Sequence, residues 1–374
     1  MTSGNCYKRI VVKLGSNLLT AGTDRLDLEV MASIVGQVAK LHAQGKELIV
    51  VSSGAIAAGK HKLGITRERR GIPFRQVLAA VGQSHLMDAY DQLFSWHGII
   101  VAQTLLTRTD LADRQGYLNA RNTLLALMDL KVISIVNEND VVAVDEIQGA
   151  TFGDNDNLSA MVATLVDADA LIILTDIGGL YTADPTVDPS AELIETVDSI
   201  DQRLEALAGR SNSGRGTGGM ATKLQAAKMA TSFGISTFIA SGRERNVLVR
   251  LSEGEKIGTR FAVHAGRMES RKRWMLSGLS QRGTIIVDKG AVKAITEQHR
   301  SLLPAGVSKV VGEFGRGDVV AIVGPDQTTI AYGVVNYNSR DVSAIEGKRS
   351  SQIQDVLGYQ YGEEVVHRNN LVLK

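Results

Sequence analysis

The run Gly153-Asp154-Asn155-Asp156-Asn157 stands directly before Leu158-Ser159-Ala160-Met161-Val162-Ala163-Thr164-Leu165. Apolar residues with helical spacing begin at Leu158, so the polar cluster falls on the first turn of a helix. One Asp or Asn there is an ordinary cap, its oxygen accepting from the free N–H groups of the helix start. Four in a row, two of them carboxylates, exceed what capping needs. A capped helix with a solvated start is the plain alternative. The sharper one is that these side chains hold cations: a metal, lysine ammonium groups, or a substrate amine.

Other chemically able residues fall at the ends of apolar runs. Lys13 interrupts Arg9-Ile10-Val11-Val12-Lys13-Leu14 just before Gly15, Ser16 and Asn17. A lysine in a β-branched run must meet a counter-charge or reach water, and the glycine and serine beside it point to an anion site rather than a snorkelling edge lysine. Ser52, Ser53 and Gly54 follow Glu47–Val51 and precede a short helix, offering hydroxyl and N–H groups either as a plain cap or as a seat for carboxylate or phosphate. Lys131–Val136 ends in Asn137-Glu138-Asn139-Asp140, and Ala170–Leu174 ends in Thr175-Asp176. Gly214-Arg215-Gly216-Thr217-Gly218-Gly219 leads into a helix opened by Met220, Ala221, Thr222 and Lys223. It matches G-x-G-x-x-G formally, but a helix and a polar loop precede it rather than a strand, which rejects a dinucleotide fingerprint. No G-x-x-x-x-G-K-[ST] occurs. The loop reads either as a mobile linker or as a polyphosphate seat served by N–H groups, helix dipole and the Lys223 ammonium.

The elements that must position these groups alternate. Helices are expected near Leu28–Ala43, Arg75–Trp96, Leu118–Leu130 and Met220–Ser232, with strands between them and at Gly98–Leu106 and Ser236–Ala240. Gly59 to Pro73 reads as a basic exposed loop. His85 and Met87 read as packing or surface residues, and Arg114 and Arg121 as surface or interface residues. The alternation predicts an α/β fold, a mostly parallel doubly wound sheet with helices on both faces. Ligands bind at the carboxyl ends of such strands, so all the polar tips would line one edge. That convergence outweighs any single motif.

Past Gly266 the pattern changes. Arg267, Arg271, Lys272 and Arg273 mark a basic linker, and short strands after Arg282 predict a small β-rich domain. The organisation read is 1–266, a linker at 267–281, a second domain at 282–360 and a tail at 361–374. The 374 residues suit two domains, and 44% apolar against 22% charged residues suits a soluble protein with a large core. A net charge of +1 gives no global field toward nucleic acid or membrane. The only cysteine, Cys6, fits a reducing compartment. No apolar run reaches the roughly 18 residues of a membrane span. Met1–Asn5 shows no signal-peptide core, so a cytoplasmic location is expected.

Taken together, Val12–Ser16, Ser52–Ile56, Asn137–Asp140, Gly153–Asn157, Leu174–Asp176, Gly179–Pro185 and Gly216–Met220 resemble the amino-acid kinase family. The resemblance is closest to its branch that phosphorylates the side-chain carboxylate of L-glutamate at the start of proline biosynthesis. Asn17 departs from the pattern, where many relatives carry serine. Ser301–Gly306 and Phe314–Val319 resemble a PUA domain.

Carried over, the likeness implies that Lys13 and Lys223 neutralise the transferring phosphoryl group, with Lys13 also at the substrate. Asp156 would orient them or the Mg2+. Ser53, Asp140 and Asn155 would bind glutamate, and Thr175, Asp176, Thr217, Gly218, Gly219, Met220, Ala221, Thr222 and Lys223 would hold ATP. It further implies a dimer or tetramer, a glutamyl-phosphate reductase as partner and proline as a feedback inhibitor. A kinase for aspartate, acetylglutamate or carbamate is the alternative within the fold, and RNA binding through the PUA-like part the alternative outside it. Residues 282–360 carry nine Lys/Arg against eight Asp/Glu, which argues against a phosphate-backbone binder.

Overall fold

The β-branched runs become strands of one sheet in the computed structural model, which describes residues 7–65, 71–143, 155–202, 204–206, 219–263 and 282–374. Its strands are β1 (Arg9–Leu14), β2 (Glu47–Ser52), β3 (Val101–Leu106), β4 (Ile133–Glu138), β5 (Ala170–Thr175), β6 (Thr196–Val197), β7 (Ser236–Ser241) and β8 (Thr259–Phe261). They lie in the order β3-β4-β2-β1-β5-β7-β8-β6. Every pairing is parallel except β7 with β8. Central strands covered on both faces need continuous apolar sequence, and β5 is buried along its whole length.

The start of β1 is pinned by Asp169, whose carboxylate accepts from the Lys8 and Arg9 backbone N–H groups at 2.7 and 2.8 Å. β1 lies between β2 and β5, with Lys13 in register with Val51 and Ile173. The chain fills the β2 side first and the β5 side afterwards, so the strand order reverses beside β1. A crevice opens at the carboxyl ends at such a reversal.

Helices cover the sheet. Asp27 caps Leu28–Ala43 by accepting from Glu29 and Val30 N–H, and that helix turns Met31, Ile34, Val35 and Val38 into the core. The helix expected at Arg75–Trp96 runs from Ile72 to Ser95. Pro73 lies in its first turn, where a missing N–H leaves no hydrogen bond unmade. The stretch 59–73 is therefore not one exposed loop, since the helix Ala55–Lys62 also occupies part of it.

The helices Ala55–Lys62 and Ile72–Ser95 approach through glycine. A Cβ on Gly82 would stand 1.7 Å from the Ala55 carbonyl oxygen, and one on Gly59 would stand 1.9 Å from that of Leu78. Close approach of two helix backbones needs small residues, and here only glycine fits. The same face of Ile72–Ser95 buries Leu78, Leu86 and Phe94, each contributing about 1.5–3 kcal/mol by leaving water.

β4 begins at Ile133 rather than Lys131 because Lys131 adopts φ +60°, a left-handed turn after the helix Arg114–Asp129. Arg121 on that helix is not a surface residue: it is 1% exposed. Burial lowers its pKa, and interaction with Tyr117 opposes that shift.

Residues 112–122 cluster with 267–374 as a second compact unit, apart from 1–111 and 123–266. Its sheet contains β9 (Gly283–Val287), β10 (Val307–Val311), β11 (Val319–Val323), β12 (Thr329–Val334) and β13 (Leu371–Leu373), in the order β10-β9-β11-β12-β13. β9 and β11 are parallel and the other pairs antiparallel. The C-terminal tail thus supplies a strand of this sheet. Ile285, Val320, Ile322, Ala331 and Tyr337 build its core, and Leu118 packs with Val319, Val334 and Val372. The basic linker read at 267–281 lies outside the described residues. No described helix is long and apolar enough to cross a membrane.

Candidate active site

Lys13 reaches the carboxyl end of the central strand with 2% of its side chain exposed. Its Nζ lies 2.5 Å from Asp156 Oδ1, and Asp156 is fully buried. On the other side Lys223 Nζ lies 3.1 Å from Asp156 Oδ2, and Thr222 Oγ1 donates to the same oxygen at 2.8 Å. Asp156 belongs to the first turn of Asn155–Leu165, and Thr222 and Lys223 to the first turn of Met220–Ser232. One carboxylate thus holds two ammonium groups carried by a strand tip and a second helix. Two buried ammonium groups converge on one carboxylate at the strand ends, an arrangement suited to an anionic ligand.

A second group is continuous with the first through Asn155, the neighbour of Asp156. Asn155 Nδ2 donates to Ser53 Oγ and to Asn137 Oδ1, both at 3.1 Å. Asn137 Oδ1 also accepts from the Glu138 backbone N–H at 2.9 Å, and Asn137 Nδ2 donates to Gln83 Oε1 at 2.7 Å. Asn155 Oδ1 and Gln83 Nε2 are buried and, among the described residues, have no hydrogen-bond partner. Ser53 is presented by Gly54, whose φ of +103° turns the chain from β2 into Ala55–Lys62, a conformation costly for other residues. Beneath it, Ser52 Oγ and Tyr90 OH share a hydrogen bond of 2.8 Å. Burial pushes the Tyr90 phenol well above its ordinary value, so its hydroxyl stays neutral.

A third group stands at the tip of β5. Thr175 Oγ1 donates to Asp176 Oδ1 at 3.0 Å, and Asn17 Nδ2 lies 3.4 Å from Asp176 Oδ2. Asn17, the departure from the family pattern, meets a carboxylate here. Gly219 caps Met220–Ser232 without a side-chain hydrogen bond. Met220 is buried and Ala221 half-buried on the same turn. Asp140 lies buried just past β4. Gly153, Asp154, Thr217 and Gly218, with the loop from Arg210, lie outside the described residues.

The structure brings Lys13, Ser53, Asn155, Asp156, Thr222 and Lys223, all named from the sequence, together in one region. The sequence reading missed Gln83 and Tyr90. Both occupy apolar phases of their helix, where a polar side chain is itself a signal. Lys13 and Lys223 already contact the two Asp156 oxygens, so a metal ion bound directly to Asp156 would share the carboxylate with them. Among the described residues no group of three or more His, Cys, Asp or Glu side chains is arranged to hold a metal. The arrangement suits transfer between two anions: fixed positive charge, a helix N-terminus, and buried amides for a small polar ligand.

The model of the amino acid kinase family matches residues 8–241, and that of the PUA domain matches residues 283–357. A glutamate 5-kinase of Dehalococcoides mccartyi is 58% identical over 99% of this chain and 100% of its own length. One of Herpetosiphon aurantiacus is 53% identical over 98% of each chain, and one of Burkholderia multivorans 51% identical over 98% of each.

Proposed function

The chain belongs to the amino acid kinase family, and from that membership we propose that it transfers the terminal phosphoryl group of ATP to the side-chain carboxylate of L-glutamate. The products are L-glutamyl 5-phosphate and ADP, in the first step of proline biosynthesis. The name borne by relatives at 51–58% identity over nearly the whole length supports this substrate. The observation that carries the chemistry is Asp156 held between Lys13 and Lys223.

The acceptor carboxylate has an ordinary pKa near 4.3 and is already ionised at pH 7, so no general base is needed. The barrier comes from bringing an anion to a polyanion. Lys13 and Lys223 offset that repulsion, and Asp156 keeps their ammonium groups at the transfer point. The start of Met220–Ser232, whose cap residue Gly219 brings no side-chain oxygen, adds N–H groups and the positive end of the helix dipole. Catalysis on this reading is positioning and charge neutralisation.

Ser53, Asn155 and Asp140 bind glutamate in this reading, with Lys13 shared between substrate and phosphoryl group. Thr175, Asp176 and the 217–223 turn hold ATP. Bound Mg2+ would screen the phosphate charges and takes mostly phosphate and water oxygens as ligands. Asp156 carries both lysine ammonium groups, so as a Mg2+ ligand it would share its carboxylate with them. A homo-oligomer, a reductase that takes the labile acyl phosphate, proline as inhibitor and a cytoplasmic location belong to the same proposal and rest on the family likeness.

The test is ADP release with glutamate, aspartate, acetylglutamate and carbamate in turn, with hydroxylamine trapping the acyl phosphate as a hydroxamate. Turnover and trapping with glutamate alone support the reading. A preference for another acid overturns the substrate assignment.

A further inference from the structure

Hydrogen-bonded amides in the site have a fixed sense, and at Asn137 a backbone N–H on one side and Gln83 on the other hold it together. The Glu138 N–H is a donor that no rotation can exchange, and it meets Asn137 at 2.9 Å. The atom facing it must therefore be Asn137 Oδ1. Asn137 Nδ2 then points the other way, toward Gln83, and needs an acceptor, so Gln83 presents Oε1 at 2.7 Å. On its other side Asn137 Oδ1 needs a donor, so Asn155 presents Nδ2 at 3.1 Å, and the same Nδ2 donates to Ser53 Oγ. Asn155 has one remaining atom, Oδ1, buried and without a hydrogen-bond partner among the described residues. A buried acceptor left this way is costly unless a ligand donates to it.

We propose that Gln83 is a positioning residue for specificity: by holding Asn137 it fixes Asn155 so that a carbonyl oxygen, not an amide N–H, faces the ligand. An acceptor there selects a ligand that carries a donor, the ammonium group of an α-amino acid, over an otherwise equal diacid without one. Reversed, Asn155 would present a donor toward that ammonium. Gln83 is brought to this place by its neighbour: Gly82 lets Ile72–Ser95 lie against the Ala55 carbonyl, which delivers position 83 to the tip of β4. Gln83 is 9% exposed, in a phase of the helix where packing alone asks for an apolar side chain. The inference rests on the glutamate reading of the site.

The experiment compares L-glutamate with glutarate, which has both carboxylates and no amine. KM for glutamate and Ki for glutarate as a competitive ligand are measured on the purified full chain. The wild-type protein should prefer glutamate by about tenfold or more, the scale of a hydrogen bond to a charged group. Gln83→Met keeps the bulk and removes the acceptor. It should raise the glutamate KM by about 10-fold while the glutarate Ki shifts less than about twofold and kcat stays within about threefold. Gln83→Glu retains an oxygen for Asn137 Nδ2 and should keep the ratio of the two constants near wild type, even if its added charge weakens both.

Equal losses for both ligands in Gln83→Met overturn the proposal, since that is what general damage to the site would do. An unchanged glutamate KM overturns it as well, as does a wild-type protein indifferent to the amine. If thermal melts show Gln83→Met unfolded, the ratio in Gln83→Glu decides, and its collapse counts against the role. A wild-type protein with no glutamate-dependent turnover overturns the activity reading instead. Wild-type turnover with an unaltered Gln83→Met overturns this inference only.

Discussion

Lys13 Nζ stands 2.5 Å from Asp156 Oδ1, and neither side chain is more than 2% exposed. Charges so far from water are retained only when paired, and removing one partner of such a pair costs about 3–5 kcal/mol. Here the cost falls on two cations, because Lys223 shares the same carboxylate. Asp156→Ala should therefore lower unfolding stability by at least that scale in urea titrations, besides losing turnover. ATP should restore part of the stability, since its phosphates supply the missing negative charge. A variant as stable as wild type would mean that the lysines find other counter-charges at once, and the site would not be organised by Asp156.

Two glycines in helices should respond to alanine with opposite signs. At Gly82 the added Cβ meets backbone atoms, the Ala55 oxygen at 1.7 Å and the Gly59 nitrogen at 2.4 Å, which can yield only if the helices part. Gly82→Ala should destabilise by about 1–3 kcal/mol or more. Gly36, inside Leu28–Ala43, has nothing within 4 Å of its would-be Cβ. Gly36→Ala should stabilise by about 0.5–1 kcal/mol through reduced unfolded-chain entropy. Denaturant midpoints on the two variants check both signs. A neutral Gly82→Ala would show that the helix contact is looser than the geometry implies.

The strand tips were legible because an apolar run ending in polar residues marks both a parallel strand and its ligand edge. Lys13 stood out as a charge inside such a run, and Asp156 as a carboxylate beyond what a cap requires. Pairing across the chain was not legible. Asn137 meets Asn155 18 positions later and Gln83 54 positions earlier, and nothing local encodes either meeting. Gln83 is not singled out in the sequence reading and Arg121 reads as a surface or interface residue, although each lies on a buried phase of its helix, where a polar type is itself the signal. The boundary at 266 also hid the grouping of 112–122 with the second unit, since a domain assembled from separated segments leaves no break in composition.

In the second unit Tyr359 OH donates to Asp341 Oδ2 at 2.5 Å, and that hydrogen bond, with a smaller contribution from burial, pushes the phenol up to about 12. A raised value means that the folded chain holds the proton more tightly than the unfolded one. Its contribution to stability is complete below the ordinary tyrosine value of about 10 and disappears as pH climbs through about 12. Spectrophotometric titration should show one tyrosine ionising near 12 that Tyr359→Phe deletes. Asp341→Asn should return it toward 10, and an unchanged high-pH component in that variant would assign the shift to another cause.

Asp140 and Lys223 separate binding from chemistry. On the proposed reading Asp140, buried just past β4, meets the amine of glutamate, a group that phosphoryl transfer leaves untouched. An interaction equal in ground and transition states acts on KM rather than kcat. Asp140→Ala should raise the glutamate KM strongly and spare the saturated rate. Lys223, 3.1 Å from Asp156, instead meets the migrating phosphoryl group, whose charge distribution changes along the reaction. Lys223→Ala should lower kcat by about 10²-fold or more, the range for a lost electrostatic stabiliser, with a smaller change in glutamate KM. Were Lys223 only a helix residue satisfied by its ion pair, the variant would lose stability but keep its rate. Steady-state kinetics on both variants, with thermal melts to confirm folding, distinguish these outcomes. A kcat defect in Asp140→Ala together with a KM defect in Lys223→Ala would reverse the two roles.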